Sequence, residues 1–141
     1  MRFWDSSALV PLLAEEASTV AMRSRLDEDR ELLVWWGTRV ECASALARRL
    51  REGRLGRQEA LRAEQRLQRL SKAWSEVAPT DPVRTAAERL LRVHPLRAAD
   101  ALQLAAAVVA AEHVPASMEL VTLDDRLAEA AELEGFRVLG T

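Results

Sequence analysis

With one cysteine, Cys42, the chain can close no disulfide within itself. Its two histidines, His94 and His113, each lack a second imidazole at ligand spacing, so both read as structural and a histidine-built metal centre is excluded. Lysine is almost absent too: Lys72 stands alone, and every other basic side chain is arginine. No apolar run reaches the roughly 20 residues that a bilayer-crossing helix needs. Repeats and low-complexity segments are lacking. The opening MRFWDSSALV sets an acid at position 5, where a secretory leader would carry apolar residues ahead of a small-residue cleavage site. These absences predict a cytoplasmic protein with no membrane contact. A hydrophobic fraction of 49% beside 30% charged residues excludes disorder and predicts a single domain over residues 1–141.

The net charge of −2 argues against a nucleic-acid binder until the placement of charge is considered. Arg48, Arg49, Arg51, Arg54 and Arg57 crowd one stretch with a single glutamate, and Arg62, Arg66 and Arg69 follow. Arginine suits phosphate because its planar fork donates two parallel hydrogen bonds. The same stretch also fits a solvated helix face laced with Glu/Arg pairs.

The stretch AADALQLAAAVVAA, Ala98 to Ala111, has only Asp100 and Gln103 as polar members. A helix apolar on nearly every side belongs in a core, and a carboxylate in its first turn calls for a compensating cation. Three more acids fall at comparable positions. Asp5 ends the apolar run Phe3-Trp4, Asp124 ends Leu120 to Leu123, and Glu41 opens a helix after Leu32 to Trp36 with Gly37-Thr38 as the turn.

Strands are predicted at Arg2 to Trp4, Leu32 to Trp36, Glu76 to Ala78, Glu119 to Leu123 and Phe136 to Leu139, with helical periodicity between them. Ser7 to Leu26 reads as two helices broken near Glu15-Glu16. Val40, Ala43, Ala47 and Leu50 mark a face of the next helix, and Leu61, Leu67, Leu70 and Trp74 a narrower stripe on its hairpin partner, the two joined by Gly53 to Gly56. Further helices cover Pro82 to Val93, Arg97 to Glu112 and Asp125 to Glu134. Strands alternating with helices imply a parallel sheet covered on both faces, with its ligand site beyond the carboxyl ends of the strands. Asp5, Glu41, Asp100 and Asp124 would meet there.

Four carboxylates in one pocket repel one another, and burial raises the cost of each charge. A hard divalent cation offsets that cost, and an all-oxygen set without His or Cys selects Mg²⁺, with Mn²⁺ as a substitute. Such ions activate water for phosphodiester cleavage. Other chemistries fit worse. Ser6 and Ser7 lack a Gly-x-Ser-x-Gly frame, and a receiver domain would need a lysine after the last strand. A haloacid-dehalogenase phosphatase would need an aspartate where Ser7 stands.

The ordered motifs FWDSSALV, TRVECASALARR, LRAADALQLAAA and LVTLDDRLAEAA resemble the PIN-domain family, and most of all the VapC ribonuclease toxins of toxin–antitoxin pairs. The likeness runs the length of the chain. It implies an α/β three-layer sandwich with a five-stranded parallel sheet in order 3-2-1-4-5 and a protruding helical hairpin. Carried over by residue, it implies a catalytic and metal-holding set of Asp5, Glu41, Asp100 and Asp124, with Ser6 and Thr122 as polar companions. Apart from the resemblance, the placement of the arginines makes Arg48 and Arg97 candidates to contact substrate or to support the acids. Asp125 stays an alternative to Asp124, although the Thr-x-Asp spacing from Thr122 favours Asp124. The resemblance further implies a Mg²⁺-dependent endoribonuclease, a homodimer, and a VapB-type antitoxin as partner. A PIN nuclease or RNA-binding protein outside any toxin pair is the alternative reading.

Overall fold

The computed structural model describes residues 1–140. Five short strands, β1 (Arg2–Trp4), β2 (Leu32–Trp35), β3 (Ser75–Val77), β4 (Glu119–Val121) and β5 (Arg137–Leu139), form one all-parallel sheet in the order β3-β2-β1-β4-β5. The sheet order is the one the family resemblance implies. Phe3 stands opposite both Leu33 and Leu120, which makes β1 the central strand.

Successive side chains of a strand point to opposite faces, and the core divides accordingly. Phe3, Leu33 and Leu120 join the helices α5 (Asp81–Val93), α6 (Ala98–Ala110) and α7 (Asp125–Glu134) on one face. Trp4, Val34 and Val121 join α1 (Ser6–Leu13), α3 (Thr38–Arg51) and α4 (Arg57–Ala73) on the other. A further helix, α2 (Thr19–Glu28), follows α1, and a 3₁₀ turn at Pro115–Ser117 leads into β4. Three layers result.

Helix α6 is buried from Gln103 through Val108, as its small apolar residues require, while Asp100 emerges at its start. Helix α7 stops at Gly135, whose φ of +105° is a left-handed conformation that side chains other than glycine resist. Pro11 sits inside α1, past its first turn.

Three expectations are corrected. The buried face of α3 is Thr38, Cys42 and Leu46, four residues apart, while Val40 is 69% exposed and Leu50 39% exposed. Glu41 has to face the strand ends, and that requirement rotates Val40 outward. In α4 the buried stripe is Ala60, Ala63 and Leu67, with Leu61 in solvent. Strand β4 ends at Val121 because the Leu123 N–H bonds to the Ser7 hydroxyl. No helix among the described residues is long and apolar enough to cross a membrane.

Candidate active site

Four chain segments meet at the carboxyl edge of the sheet. The Asp5 N–H bonds to the Val121 carbonyl at 3.0 Å, so the residue after β1 is fixed against β4 before its side chain is considered. That carboxylate is 3% exposed and caps α1. Its Oδ2 accepts from the Ser7 hydroxyl at 2.5 Å and from the Thr122 hydroxyl at 2.9 Å, while the Ser6 hydroxyl stands 3.4 Å from Oδ1. Both close donors are themselves held, since the Ser7 oxygen accepts from Leu123 N–H and the Thr122 oxygen from Asp124 N–H. Ser7 is therefore the stronger of the two serine companions, a role the sequence did not reveal because its partner Leu123 lies 116 residues away.

Above Asp5 opens a cleft of about 790 Å³. Glu41, Asp100, Asp124 and Asp125 line it together with Ser6, Arg48 and Arg97. Arg126, inside the motif LVTLDDRLAEAA but not among the expected site residues, lines it as well. Asp5 and Thr122 lie beneath this surface, buried. Glu41 is on the first turn of α3, and its carboxylate accepts from the side-chain amide of Gln103, which also donates to Thr38 Oγ1 at 3.0 Å. Asp124 caps α7 through Oδ1, accepting from the N–H groups of Arg126 (2.9 Å) and Leu127 (3.1 Å). Asp125 is the first residue of α7 and is exposed.

The charges are uncomfortable with one another. Burial pushes Glu41 up to about 7, against the bond from Gln103, and the charges of Asp5 and Asp100 push the same way. Asp5 is raised above the usual carboxylate range by burial and by Asp124, with the hydroxyls of Ser7 and Thr122 opposing. Asp100 is raised by burial and then by Asp124 and Asp5, with Arg97 pulling back. Asp124 is the acid whose charge bears on both Asp5 and Asp100. Beneath Glu41, burial lifts the Cys42 thiol to about 12, which leaves no thiolate for nucleophilic chemistry.

The cation expected beside Asp100 is not paired with it. Among the described residues, no arginine comes within ion-pair distance of Asp5, Glu41, Asp100 or Asp124. Nor do any three carboxylate, imidazole or thiol groups among these residues stand close enough to grip one ion as they are. An all-oxygen set in which Asp5, Glu41 and Asp100 are raised by burial and by neighbouring acids, and in which no acid is ion-paired among the described residues, fits a hard divalent cation. Asp5, Glu41, Asp100 and Asp124 are the residues that would hold it.

The family model of the PIN domain matches residues 2–133. The chain belongs to the PIN-domain family. Members of that family are generally nucleases that use divalent metals. No curated protein matches the sequence. Among solved structures, PAE2754 from Pyrobaculum aerophilum is 20% identical with a TM-score of 0.67, covering 99% of this chain and 87% of that one. FitAcB from Neisseria gonorrhoeae is 18% identical with a TM-score of 0.67, covering 99% of this chain and 96% of that one. FitAB bound to an IR36 DNA fragment is similar to the same degree, at 18% identity and a TM-score of 0.67, with coverage of 99% and 94%. At such identities the likeness is one of fold.

Proposed function

We propose that this PIN domain is a Mg²⁺-dependent endoribonuclease toxin of the VapC type, with Mn²⁺ able to substitute. The observation that carries the reading is the cleft in which Glu41, Asp100 and Asp124 surround buried Asp5 with no paired cation, while three arginines without an ion pair among the described residues share the same walls. A divalent ion there supplies the Lewis acidity that activates water and stabilises the leaving oxygen.

The chain's own residues do the rest. Asp5 is locked by Ser7 and Thr122, so its carboxylate cannot rotate away from the strand edge. Arg48 on α3, Arg97 just before α6 and Arg126 in the first turn of α7 share the cleft with the acids, which suits them to hold phosphates there.

A cognate VapB-type antitoxin is the partner this reading calls for. Between α1, α2 and α4 lies an apolar trough of about 350 Å³, floored by Leu12, Leu26 and Leu70 and rimmed by Arg23, Arg66 and Arg69. An amphipathic segment with acidic flanks suits such a trough.

The test is cleavage of RNA by purified protein. Asp5→Asn, Glu41→Gln, Asp100→Asn and Asp124→Asn should each lower the rate by about 10²-fold or more, as loss of a charge-stabilising group does. EDTA should abolish cleavage reversibly. Products should carry 5′-phosphate and 3′-hydroxyl ends, and a 2′-deoxy substitution at the scissile nucleotide should leave cleavage intact. Full activity in EDTA, or a 2′,3′-cyclic phosphate, would sink the mechanism.

A further inference from the structure

Gln103 is the one polar side chain in the buried run of α6, and it is 1% exposed. Its amide nitrogen donates to two acceptors on α3, Thr38 Oγ1 at 3.0 Å and Glu41 Oε2. Its carbonyl oxygen is buried without a partner. Both acceptors lie on one side, and only the NH₂ end of an amide can serve a hydroxyl oxygen and a carboxylate at once. The orientation is thus dictated by α3, and the orphaned oxygen is its consequence.

An apolar residue of similar volume would remove that orphan and suit the neighbouring alanines and leucine of α6. A buried polar group that leaves an atom unsatisfied stands out as a candidate for a role other than packing. Asp100 lies one turn earlier on the same face of α6. Gln103 therefore ties the Glu41 carboxylate of one helix to the helix that carries Asp100.

On the nuclease reading above, we infer that Gln103 is a positioning residue that holds Glu41 in register with Asp100 across the α3/α6 boundary. Partners that orient ligating carboxylates act in this way, and their loss commonly costs 10–100-fold in metal affinity or activity. Thr38 contributes as the second acceptor that fixes the amide's rotation. Without the amide, Glu41 is free to turn toward solvent, away from its two acidic neighbours.

The test is Gln103→Met in the full chain, with Gln103→Leu as the second variant should the first fold poorly. The expected result is a fall in kcat of about tenfold or more with KM for RNA unchanged. Removing the orphaned oxygen favours the variant while Thr38 Oγ1 and Glu41 each lose a donor, so kcat is taken per folded molecule whichever way the melting temperature moves. Mn²⁺ binding, followed by electron paramagnetic resonance without RNA, should weaken severalfold. In a Glu41→Gln background the same change at position 103 should leave Mn²⁺ affinity where it was, because the group it positions is altered already.

Two results would overturn the inference while leaving the nuclease reading standing. One is a drop in melting temperature with kcat per folded molecule unchanged, which makes Gln103 a packing strut. The other is an equal loss of Mn²⁺ affinity with and without Glu41. A wild-type protein that neither binds Mn²⁺ nor cleaves RNA would instead bring down the nuclease reading, and the role of Gln103 with it.

Discussion

Thr122 Oγ1 donates to Asp5 Oδ2 at 2.9 Å, joining the ends of β4 and β1 across 117 residues of sequence. The bond holds a carboxylate that burial and Asp124 both push toward protonation. Glu41 and Asp100 are pushed the same way, so the cleft stores repulsion that a cation would relieve.

That repulsion has a measurable sign. Asp100→Asn should melt above wild type in EDTA, because the amide removes a charge that burial, Asp124 and Asp5 all disfavour. Adding Mg²⁺ should narrow or reverse the gap, because only the wild-type site gains from the ion. A variant that melts lower in EDTA would mean that the aspartate has a stabilising protein partner.

The same groups set a pH dependence for the metal-free protein. A carboxyl whose folded pKa exceeds its unfolded value binds more protons when folded, so stability falls as pH rises between the two. For Glu41 that window runs from 4.5 to about 7. Thermal melts in EDTA should therefore show stability declining across it, and Glu41→Gln should flatten the decline. An unchanged profile in the variant would refute the assignment.

Arg48, Arg97 and Arg126 line an acidic cleft yet form no ion pair among the described residues, which leaves their guanidinium groups free for phosphate. Each Arg→Ala change should weaken binding of a single-stranded RNA in EDTA and reduce the slope of log K against log salt by about 0.7 for each phosphate no longer neutralised. Fluorescence anisotropy over a salt series reads both. Weaker binding with an unchanged slope would mean that the arginine acts through the fold and touches no phosphate.

A separate cluster fixes α5 to α7. Glu134 accepts from buried His94 at 2.7 Å and from Arg89 at 2.6 Å, and Arg89 leads in holding its pKa below the usual range. A depressed carboxyl stabilises above its unfolded pKa and loses that contribution as pH falls through the folded value. Glu134→Gln should thus cost stability at neutral pH and blunt the acid-induced loss. Most of the cost comes from buried His94 losing its charged partner, about 1–3 kcal/mol. Urea melts at pH 7 and pH 4 would show it.

How much of this the sequence disclosed depended on how local each cause is. Strand β1 at Arg2–Trp4 and helix α7 at Asp125–Glu134 have the bounds their apolar patterns and caps predict. Strand β3 falls one residue earlier, at Ser75–Val77, because an edge strand with exposed residues has no alternation to mark its ends. The meeting of the acids at one edge of the sheet was legible because strand ends and helix starts are local signals. The roles of Ser7, Gln103 and Arg126 were not, since their partners or neighbours in the cleft come from distant segments. The buried face of α3 was misread for another reason: both of its faces carry apolar residues, and periodicity alone could not choose between them.

The exposed apolar face of α3 bears on assembly. Trp36 is 54% exposed, Val40 69% and Leu50 39%, and Ala43 and Ala47 continue the stripe along α3. The neighbouring Trp35, by contrast, is buried and forces Gly37, since a Cβ there would meet the Trp35 indole nitrogen at 2.6 Å. An apolar ridge of this kind suits a second copy, for which the same patch on both chains is self-complementary about a two-fold axis. A stable dimer buries about 800 Å² on each partner, more than one helix offers, so flanking residues must contribute. Light scattering should find wild type dimeric, and Leu50→Asp combined with Ala43→Asp should give monomers whose circular dichroism is unchanged, because neither position belongs to the core. A wild-type monomer at micromolar concentration would refute the dimer, and a dimer that survives both charges would place its interface elsewhere.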